Sequence, residues 1–395
     1  MTQQPTLHRI AMFVHMLNDR AVTRLNLVVC EELMSMGVEV TLVCAGRHPD
    51  LPVRIPDGVA LDDLAIADRP MSFGIARIAA ELRARRPDVL FAHLNGPGRA
   101  AILARAVARA PTRIVVVEHT HYSTFGWDHQ WLRDRLIALL YPRADRVAGV
   151  SPAVVEDLAA YFPGIRCATA VLPAVGPDPD RIAARDVEVP DHPWFRGTDR
   201  PIVICSVANV VPRKGQDTLV EALPIVRSEI GDVRLVIVGR FDDRDFLARL
   251  QQLASELGVS DAISFVGYRA DTLPYIAHSA VFAHGSWTEG CPTVLMEAMA
   301  CGVPVVATDC SGGASYVLDG GRSGLLVPMR DAHAMAMAIV GVLRDEELRG
   351  SLVARGRERA RQFSPRAVAE AYRALAQDCL DERRSATANA GGARP

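Results

Sequence analysis

Two glutamates eight positions apart are the residues of this 395-residue chain whose types and spacing point most directly to chemistry. Glu289 lies in a loop that contains Gly and Pro, and Glu297 lies about one turn into a helix that the pattern predicts from near Thr293. The start of a helix offers unpaired backbone N–H groups and the positive end of its dipole, which favour a phosphate group. Carboxylates accept hydrogen bonds from hydroxyls, in which sugars are rich. The segment therefore predicts a site for a ligand with phosphate and sugar hydroxyls.

Arg213 and Lys214 form a second candidate group, just after another predicted strand and next to Gly215. Of the 44 basic residues, Lys214 is the only lysine. A lone lysine is consistent with chance drift. It is equally consistent with a position where a compact ammonium does what a planar guanidinium does not. Open parallel sheets bind ligands at the carboxyl ends of their strands, and two adjacent cations there suit a diphosphate. A basic loop tip without a ligand is the alternative interpretation.

Short β-branched runs alternate with helical patterns along the chain and would supply the strands and helices that position these groups. The runs are apolar on both faces, which is typical of a parallel sheet covered by helices. Predicted strands in the first half span 9–14, 38–44, 89–94, 113–118, 146–150 and 169–172. Those in the second half span 202–207, 233–239, 263–267, 281–284, 303–308 and 325–327. The predicted fold class is α/β, with two doubly wound, Rossmann-like halves.

Proline and glycine interrupt this pattern between the two halves, so we interpret residues 174–200 as a linker. The predicted domains are therefore residues 1–173 and 201–363. A helical period follows over 364–380, and the Ala/Gly-rich tail 381–395 is expected to be disordered.

Composition excludes several classes of protein. The formal net charge of −2 disfavours a nucleic-acid binder that relies on bulk electrostatics. No apolar run approaches the roughly 18 to 20 residues of a membrane span. The eight cysteines show no C-x-x-C or zinc-ligand spacing, so free thiols in the cytoplasm are the simplest interpretation.

Basic and apolar residues lie side by side in two helical stretches of the first half. An ordinary solvated helix face is one interpretation, and peripheral contact with the inner face of the plasma membrane is the other. The residues are Arg77, Arg83, Arg85, Arg86, Trp131, Leu132, Arg133, Arg135 and Leu136.

Segments 207–215, 286–304, 308–313 and 319–327 together resemble the retaining GT-B glycosyltransferases of family 4. The hallmark of that family is the E-x7-E spacing seen from Glu289 to Glu297, and the resemblance extends from His8 to about Leu380. It implies two Rossmann-like domains, the N-terminal one for the acceptor and the C-terminal one for the donor, with an interdomain cleft and a last helix that packs back on the first domain.

The resemblance also implies an activity. The enzyme would be a metal-independent, retaining hexosyltransferase that uses no cofactor other than its co-substrate, a nucleotide-diphosphate sugar. A UDP-sugar is the favoured donor. A glycan, glycolipid or small natural product would supply the acceptor hydroxyl, as in polysaccharide biosynthesis.

The resemblance assigns roles to individual residues. His119 and Glu289 would be catalytic, with His119 against the donor sugar, although a histidine at a strand end is often structural. Tyr268 would line the base, although a plain surface tyrosine is nearly as consistent with the pattern. The remaining roles are diphosphate binding by Arg213, Lys214, Thr293 and Val294, ribose binding by Glu297, and donor-sugar binding by Gly290, Cys291 and Pro292.

Three positions depart from the family pattern. The loop Asn18-Asp19-Arg20 stands where a Gly-Gly pair is usual, which affects the expected acceptor or phosphate contacts there. Ala208-Asn209 replaces the usual Gly-Arg, and Tyr316 replaces an acidic residue.

Other interpretations of the motifs are also open. Gly96, Gly98 and Ala101 match G-x-G-x-x-A, and Glu118 follows about 20 residues later, as in an NAD-dependent oxidoreductase. A GT-B-type nucleotide-sugar epimerase and an inactive binding module would keep the fold. Residues 243–245 read Asp-Arg-Asp, a glycosyltransferase metal signature, but capping of the next helix explains them better, so no metal site is predicted.

Overall fold

A computed structural model of the protein describes residues 7–18, 21–48, 53–66, 69–124 and 130–391, without the side chains of residues 21, 166–168 and 383–391. Asp19 and Arg20, of the atypical loop after the first strand, lie outside the described residues. The chain folds into two units, Met1–Val175 with Pro365–Pro395, and Gly176–Ser364.

Seven parallel strands form the sheet of the first unit, in the order β3-β2-β1-β4-β5-β6-β7. The strands are β1 Arg9–Leu17, β2 Glu39–Arg47, β3 Ala60–Asp63, β4 Val89–His93, β5 Arg113–Glu118, β6 Arg146–Gly149 and β7 Thr169–Val171. The helices are α1 Ala21–Ser35, α2 Ile75–Arg85, α3 Asn95–Ala108, α4 Gln130–Leu140 and α5 Pro152–Tyr161. The sequence pattern missed only β3, because this short strand at the edge of the sheet ends in Asp62 and Asp63 and lacks an apolar run.

Six parallel strands form the sheet of the second unit, in the order β10-β9-β8-β11-β12-β13. The strands are β8 Ile202–Val207, β9 Val233–Val238, β10 Ile263–Gly267, β11 Val281–His284, β12 Val305–Thr308 and β13 Leu325–Val327. The helices are α6 Pro179–Ala183, α7 Gln216–Ile230, α8 Arg244–Glu256, α9 Leu273–Ala277, α10 Thr293–Ala300, α11 Gly313–Val317, α12 Ala332–Arg344 and α13 Glu346–Arg361.

Both faces of the second sheet are covered, as the apolar runs predict. Successive residues of a strand point to opposite faces. Ile204 belongs to one buried apolar cluster, whereas its neighbours Val203 and Cys205 belong to another. The predicted α/β class with two Rossmann-like domains is therefore confirmed.

The segment predicted as a linker is packed into the second unit. Two of its prolines begin short helices. Pro179 starts α6 behind a cap from Asp178, and Pro193 starts a 3-10 turn behind a cap from His192. Phe195 is only 3% exposed and belongs to the apolar core, and Asp180 pairs with Arg361 at 2.9 Å. A structured segment therefore takes the place of the expected linker from residue 176 onward.

The last helix, α14 Pro365–Gly391, contacts α1 of the first unit. Its Tyr372 is buried against Phe91 of β4, with ring centroids 4.9 Å apart. The helix continues beyond residue 380, where the pattern predicts its end, because residues 381–390 are mostly good helix formers without Gly or Pro. The tail expected to be disordered is thus helical as far as Gly391. Across the described residues, no helix is long and apolar enough to cross a membrane.

Candidate active site

The loops after β8 and β11 lie side by side because these two strands pair in the second sheet. Gly215, with a φ of +59°, turns the first loop against Gly285 of the second. A Cβ on Gly215 would lie 1.9 Å from the carbonyl oxygen of Gly285, so only glycine fits. The backbone N–H of Trp287 donates to the Arg213 carbonyl oxygen at 2.9 Å. The sheet therefore brings the loop of Arg213 and Lys214 to the loop of Glu289.

Three side chains donate to one oxygen, Oε1, of Glu289. Ser286 Oγ lies 2.6 Å and His284 Nε2 3.1 Å from it, and Lys214 Nζ forms an ion pair with it. The Lys214 and Glu289 side chains are only 15% and 13% exposed. Burial raises the pKa of the Glu289 carboxyl, but Lys214 and His284 outweigh burial and hold that pKa well below its ordinary value. Glu289 is therefore an anion at neutral pH.

Helix α10 begins directly after this loop, at Thr293 and Val294, behind the buried Gly290 and Pro292. Its N-cap residue, Pro292, makes no side-chain hydrogen bond to the first turn, so the backbone N–H groups of Thr293 and Val294 are the candidate donors to a ligand. Gly313 supports the loop from behind, since a Cβ there would lie 2.2 Å from the Glu289 carbonyl oxygen. The predicted phosphate-binding helix start and Glu289 are thus parts of one rigid loop.

The other predicted residues of the second unit lie around this loop. Glu297 is half-buried on α10 and accepts a hydrogen bond from Thr272 at 3.4 Å. Arg213 is exposed, Cys291 is half-buried and not part of a disulfide, and Tyr268 is 44% exposed.

The side chains at two of the positions that depart from the family pattern contact other residues of the protein. Asn209 donates to Asp242 at 2.7 Å, and the Tyr316 ring packs on Phe363 with centroids 5.8 Å apart. The guanidinium of Arg240, on the loop after β9, lies 4.2 Å from the centre of the Tyr268 ring. No sequence pattern indicated Arg240, His284 or Ser286, because only the pairing of the strands shows which groups these three side chains face.

Two histidines meet at the carboxyl edge of the first sheet, where β4 and β5 pair. His93 ends β4, His119 follows β5, and His93 Nδ1 lies 3.0 Å from His119 Nε2. Burial lowers the pKa of His93 well below its usual value and lowers the pKa of His119 to about 4. Both rings are therefore neutral at neutral pH, and one N–H is shared between them.

Glu118, the residue before His119, is a buried carboxyl. Burial raises its pKa to about 7, although a hydrogen bond from the Tyr141 hydroxyl and the charge of Arg99 both lower it. The residue that precedes His119 in the chain is thus a carboxyl whose pKa lies near neutrality.

Two motifs with more than one interpretation lie at helix starts in the structure. The glycines of G-x-G-x-x-A lie inside α3, which begins at Asn95, and the Gly98 N–H is bonded to the Leu94 carbonyl oxygen at 3.0 Å. That N–H is not available to a pyrophosphate. Asp243 caps α8 by accepting from the Phe246 N–H at 2.8 Å, as expected from the capping interpretation. No group of three metal-ligating side chains is found across the described residues.

The basic and apolar residues of the first unit divide into two sets. On α2, Arg85 pairs with Asp62 at 2.7 Å and Arg83 donates to the Val107 carbonyl oxygen at 2.6 Å, so these cations are partly occupied by the protein itself. On α4, Trp131 and Leu132 are 61% and 47% exposed.

Comparison with known proteins agrees with the geometry. The family model "Glycosyl transferases group 1" matches residues 191–359, and the model "Glycosyltransferase Family 4" matches residues 22–173. A structure of the Anabaena protein HepE in complex with UDP superposes with a TM-score of 0.71 at 19% identity, covering 92% of this chain and 98% of that one. The two parallel-sheet units define a GT-B-type glycosyltransferase.

Similarity in sequence identifies the family. A GDP-mannose-dependent alpha-(1-6)-phosphatidylinositol monomannoside mannosyltransferase of Mycolicibacterium smegmatis is 36% identical over 269 residues, which are 65% of this chain and 68% of the relative. A lipopolysaccharide core biosynthesis glycosyltransferase of Rhizobium meliloti is 37% identical over 49% of this chain and 53% of the relative. The chain belongs to the glycosyltransferase family that the two models describe, and it is a transferase.

Proposed function

We propose that this enzyme transfers a sugar from a nucleoside diphosphate sugar to an acceptor hydroxyl, with retention of anomeric configuration and without a metal ion. The cluster of Lys214, Glu289 and the start of α10 at the mouth of the second sheet carries the proposal. It combines a cation and backbone N–H groups, which suit a diphosphate, with a fixed anionic acceptor, which suits sugar hydroxyls.

We propose GDP-mannose as the donor. The resemblance implied a UDP-sugar, but the mycobacterial relative is named for GDP-mannose. Its sequence identity of 36% is higher than the 19% of HepE. HepE was solved with UDP, but it is only 19% identical to this chain. The similarity to HepE therefore supports the fold and not the choice of nucleotide. A UDP-sugar is therefore the second candidate.

The proposed reaction breaks the bond between the anomeric carbon and the diphosphate and forms one to the acceptor oxygen on the same face. The acceptor proton passes to the leaving diphosphate. Arg213, Lys214 and the N–H groups of Thr293 and Val294 would stabilise the charge that develops on that leaving group. Gly290, Cys291 and Pro292 would shape the sugar pocket.

The remaining residues would fix the donor. Glu297 would accept from the ribose hydroxyls, and Tyr268 would line the base. His119, held neutral, would contact the donor sugar without acting as a base.

The donor and the reaction are tested together. Purified full-length protein is incubated with GDP-, UDP- and ADP-sugars, with and without a hydroxyl acceptor and EDTA. We expect turnover of GDP-mannose that requires the acceptor and survives EDTA. Conversion of the donor to an isomer without acceptor would indicate an epimerase, and loss of turnover in EDTA that Mg²⁺ or Mn²⁺ restores would contradict metal independence.

The single lysine makes the diphosphate site directly observable. An amine-reactive reagent modifies only Lys214 and the α-amino group, so the peptide that contains Lys214 reports on this site alone. We expect GDP to protect Lys214 from acylation and to leave the α-amino group unprotected. Equal acylation of Lys214 with and without GDP or UDP would remove it from the site.

We further propose a glycolipid acceptor that is reached by peripheral contact of α4 with an anionic membrane. Trp131, Leu132 and Leu139 are 61%, 47% and 55% exposed, and Arg135 lies on the same short helix. Exposed aromatic and aliphatic residues beside arginines suit the interface of an anionic bilayer.

Vesicle sedimentation tests this surface. The wild-type protein should bind vesicles that contain phosphatidylglycerol and should not bind vesicles of pure phosphatidylcholine. The double variant Trp131→Ser, Leu132→Ser should no longer sediment with the phosphatidylglycerol vesicles. Leu257→Ser, which changes an exposed leucine of the second unit, is the matched control. Equal binding by the α4 variant and the control would exclude this surface.

A further inference from the structure

The donors around Glu289 are distributed unequally between its two oxygens. Lys214, His284 and Ser286 all reach Oε1, whereas Oε2 accepts no hydrogen bond from any residue that the structure describes. A carboxylate offers about four acceptor positions on two oxygens. Three donors on one oxygen fix the plane of the group and leave the second oxygen for a ligand.

His284 is the unusual member of this set. It ends β11, its side chain is 1% exposed, and its second nitrogen, Nδ1, is buried without a partner among the described residues. An unpaired buried polar atom costs free energy, so an apolar residue would suit this strand end better as far as packing is concerned. The contact that offsets this cost is the one from Nε2 to Glu289.

The three donors do different work. Lys214 supplies charge, but its flexible stem does not by itself fix an angle. Ser286 lies on the same loop as Glu289 and moves with it. His284 ends a strand that is paired on both sides, so it ties the carboxylate to the rigid sheet.

We propose that His284 is a positioning residue that holds Oε1 of Glu289 so that Oε2 faces the hydroxyls of the donor sugar. The inference rests on the proposed function, in which Glu289 contacts that sugar. His284 acts through Glu289 and does not itself touch the substrate.

Two substitutions separate positioning from packing. His284→Leu removes the Nε2 donor and also the unpaired Nδ1, so a merely structural histidine would tolerate it. His284→Gln keeps an N–H donor on a side chain of similar reach. His278→Leu is the matched control, because it removes a histidine that contacts the Pro274 carbonyl oxygen before β11 begins, at the other end of that strand.

We expect His284→Leu to lower kcat at least about tenfold, the effect of losing one hydrogen bond to a charged group, while KM for the donor changes little. His284→Gln should recover most of the loss, and His278→Leu should match wild type. A cooperative thermal unfolding transition in each variant is the control that it folds. Wild-type kcat in His284→Leu, or equal loss in both His284 variants with intact folding, would overturn the inference.

Acylation of Lys214 gives a second readout that does not depend on turnover. Once Glu289 is released from the sheet, its pair with Lys214 loosens, so the amine should react faster in His284→Leu than in wild type, His284→Gln or His278→Leu. If Lys214 is acylated faster in His284→Leu but the wild type turns over no donor, positioning by His284 is supported and the proposed function is refuted. Unchanged acylation beside normal wild-type turnover would refute the positioning.

Discussion

The two units use the same strand-end geometry to produce opposite electrostatic environments. In the first unit, His93 and His119 meet at the ends of two paired strands, and burial keeps both rings uncharged. In the second, Lys214 and Glu289 meet in the same way, yet the carboxylate stays ionised although it too is buried.

The difference lies in the partners and not in the fold. A buried group that faces only another neutral group loses its charge, because nothing offsets the cost of desolvation. Glu289 keeps its charge because a cation and two further donors face one of its oxygens. A parallel sheet thus supplies positions, and the side chains opposite decide whether a position is charged or neutral.

The largest effect is expected from Lys214→Met, which removes the cation that pairs with Glu289 in the second unit. Loss of one charged partner of a bound diphosphate costs about 2 to 5 kcal/mol, so GDP and intact donor should both bind at least tenfold more weakly. Calorimetric titration measures this, and Lys214→Arg, which keeps the charge, is the control. Unaltered affinity in a folded variant would show that the cluster does not bind the diphosphate.

The next prediction concerns Glu118 of the first unit, where burial disfavours the charged form of the carboxyl, and the pH dependence of the free energy of unfolding. Because its pKa is raised in the folded state, the native protein binds more protons than the unfolded chain between pH 4.5 and about 7. Stability should therefore fall as pH rises through this range, by an amount on the order of 3 kcal/mol. Glu118→Gln cannot ionise and should flatten the dependence of the thermal midpoint on pH. Parallel curves for wild type and variant would contradict the raised pKa.

The two glutamates of the second unit should separate by the part of the donor that each contacts. Glu297→Gln should weaken binding of GDP about tenfold, since a hydrogen bond to a charged group contributes about 1.5 to 3 kcal/mol. Glu289→Gln should spare GDP and lower turnover. Calorimetry with GDP and kinetics with intact donor distinguish the two, and equal changes in GDP affinity would refute this division of roles.

His119→Ala should have the smallest effect on binding, because a neutral hydrogen bond contributes only about 0.5 to 1.5 kcal/mol. Turnover should fall by more than nucleotide affinity. With its pKa near 4, His119 does not titrate in the working range, so the acid limb of the pH profile should stay in place. A shifted limb would make His119 an essential base.

The sequence predicted most of this architecture because both sheets are buried. Continuous apolar runs predicted both ends of β5, β8, β10, β11 and β13 correctly, whereas the polar edge strand β3 left no such signal. The glutamates, Lys214 and the start of α10 were found from types and spacing within single loops. His284 and Arg240 were not, because their importance depends on which strands pair.

The stereochemistry of the product tests most directly the view that charge stabilisation resides in the second unit and that the first unit supplies no base. If the leaving diphosphate takes the acceptor proton, the new bond forms on the face that the diphosphate leaves, and the configuration is retained. NMR of the anomeric proton of the product, formed from donor of known configuration, measures this. We expect the product to have the same anomeric configuration as the donor. An inverted linkage would contradict the mechanism, because inversion needs a base on the opposite face.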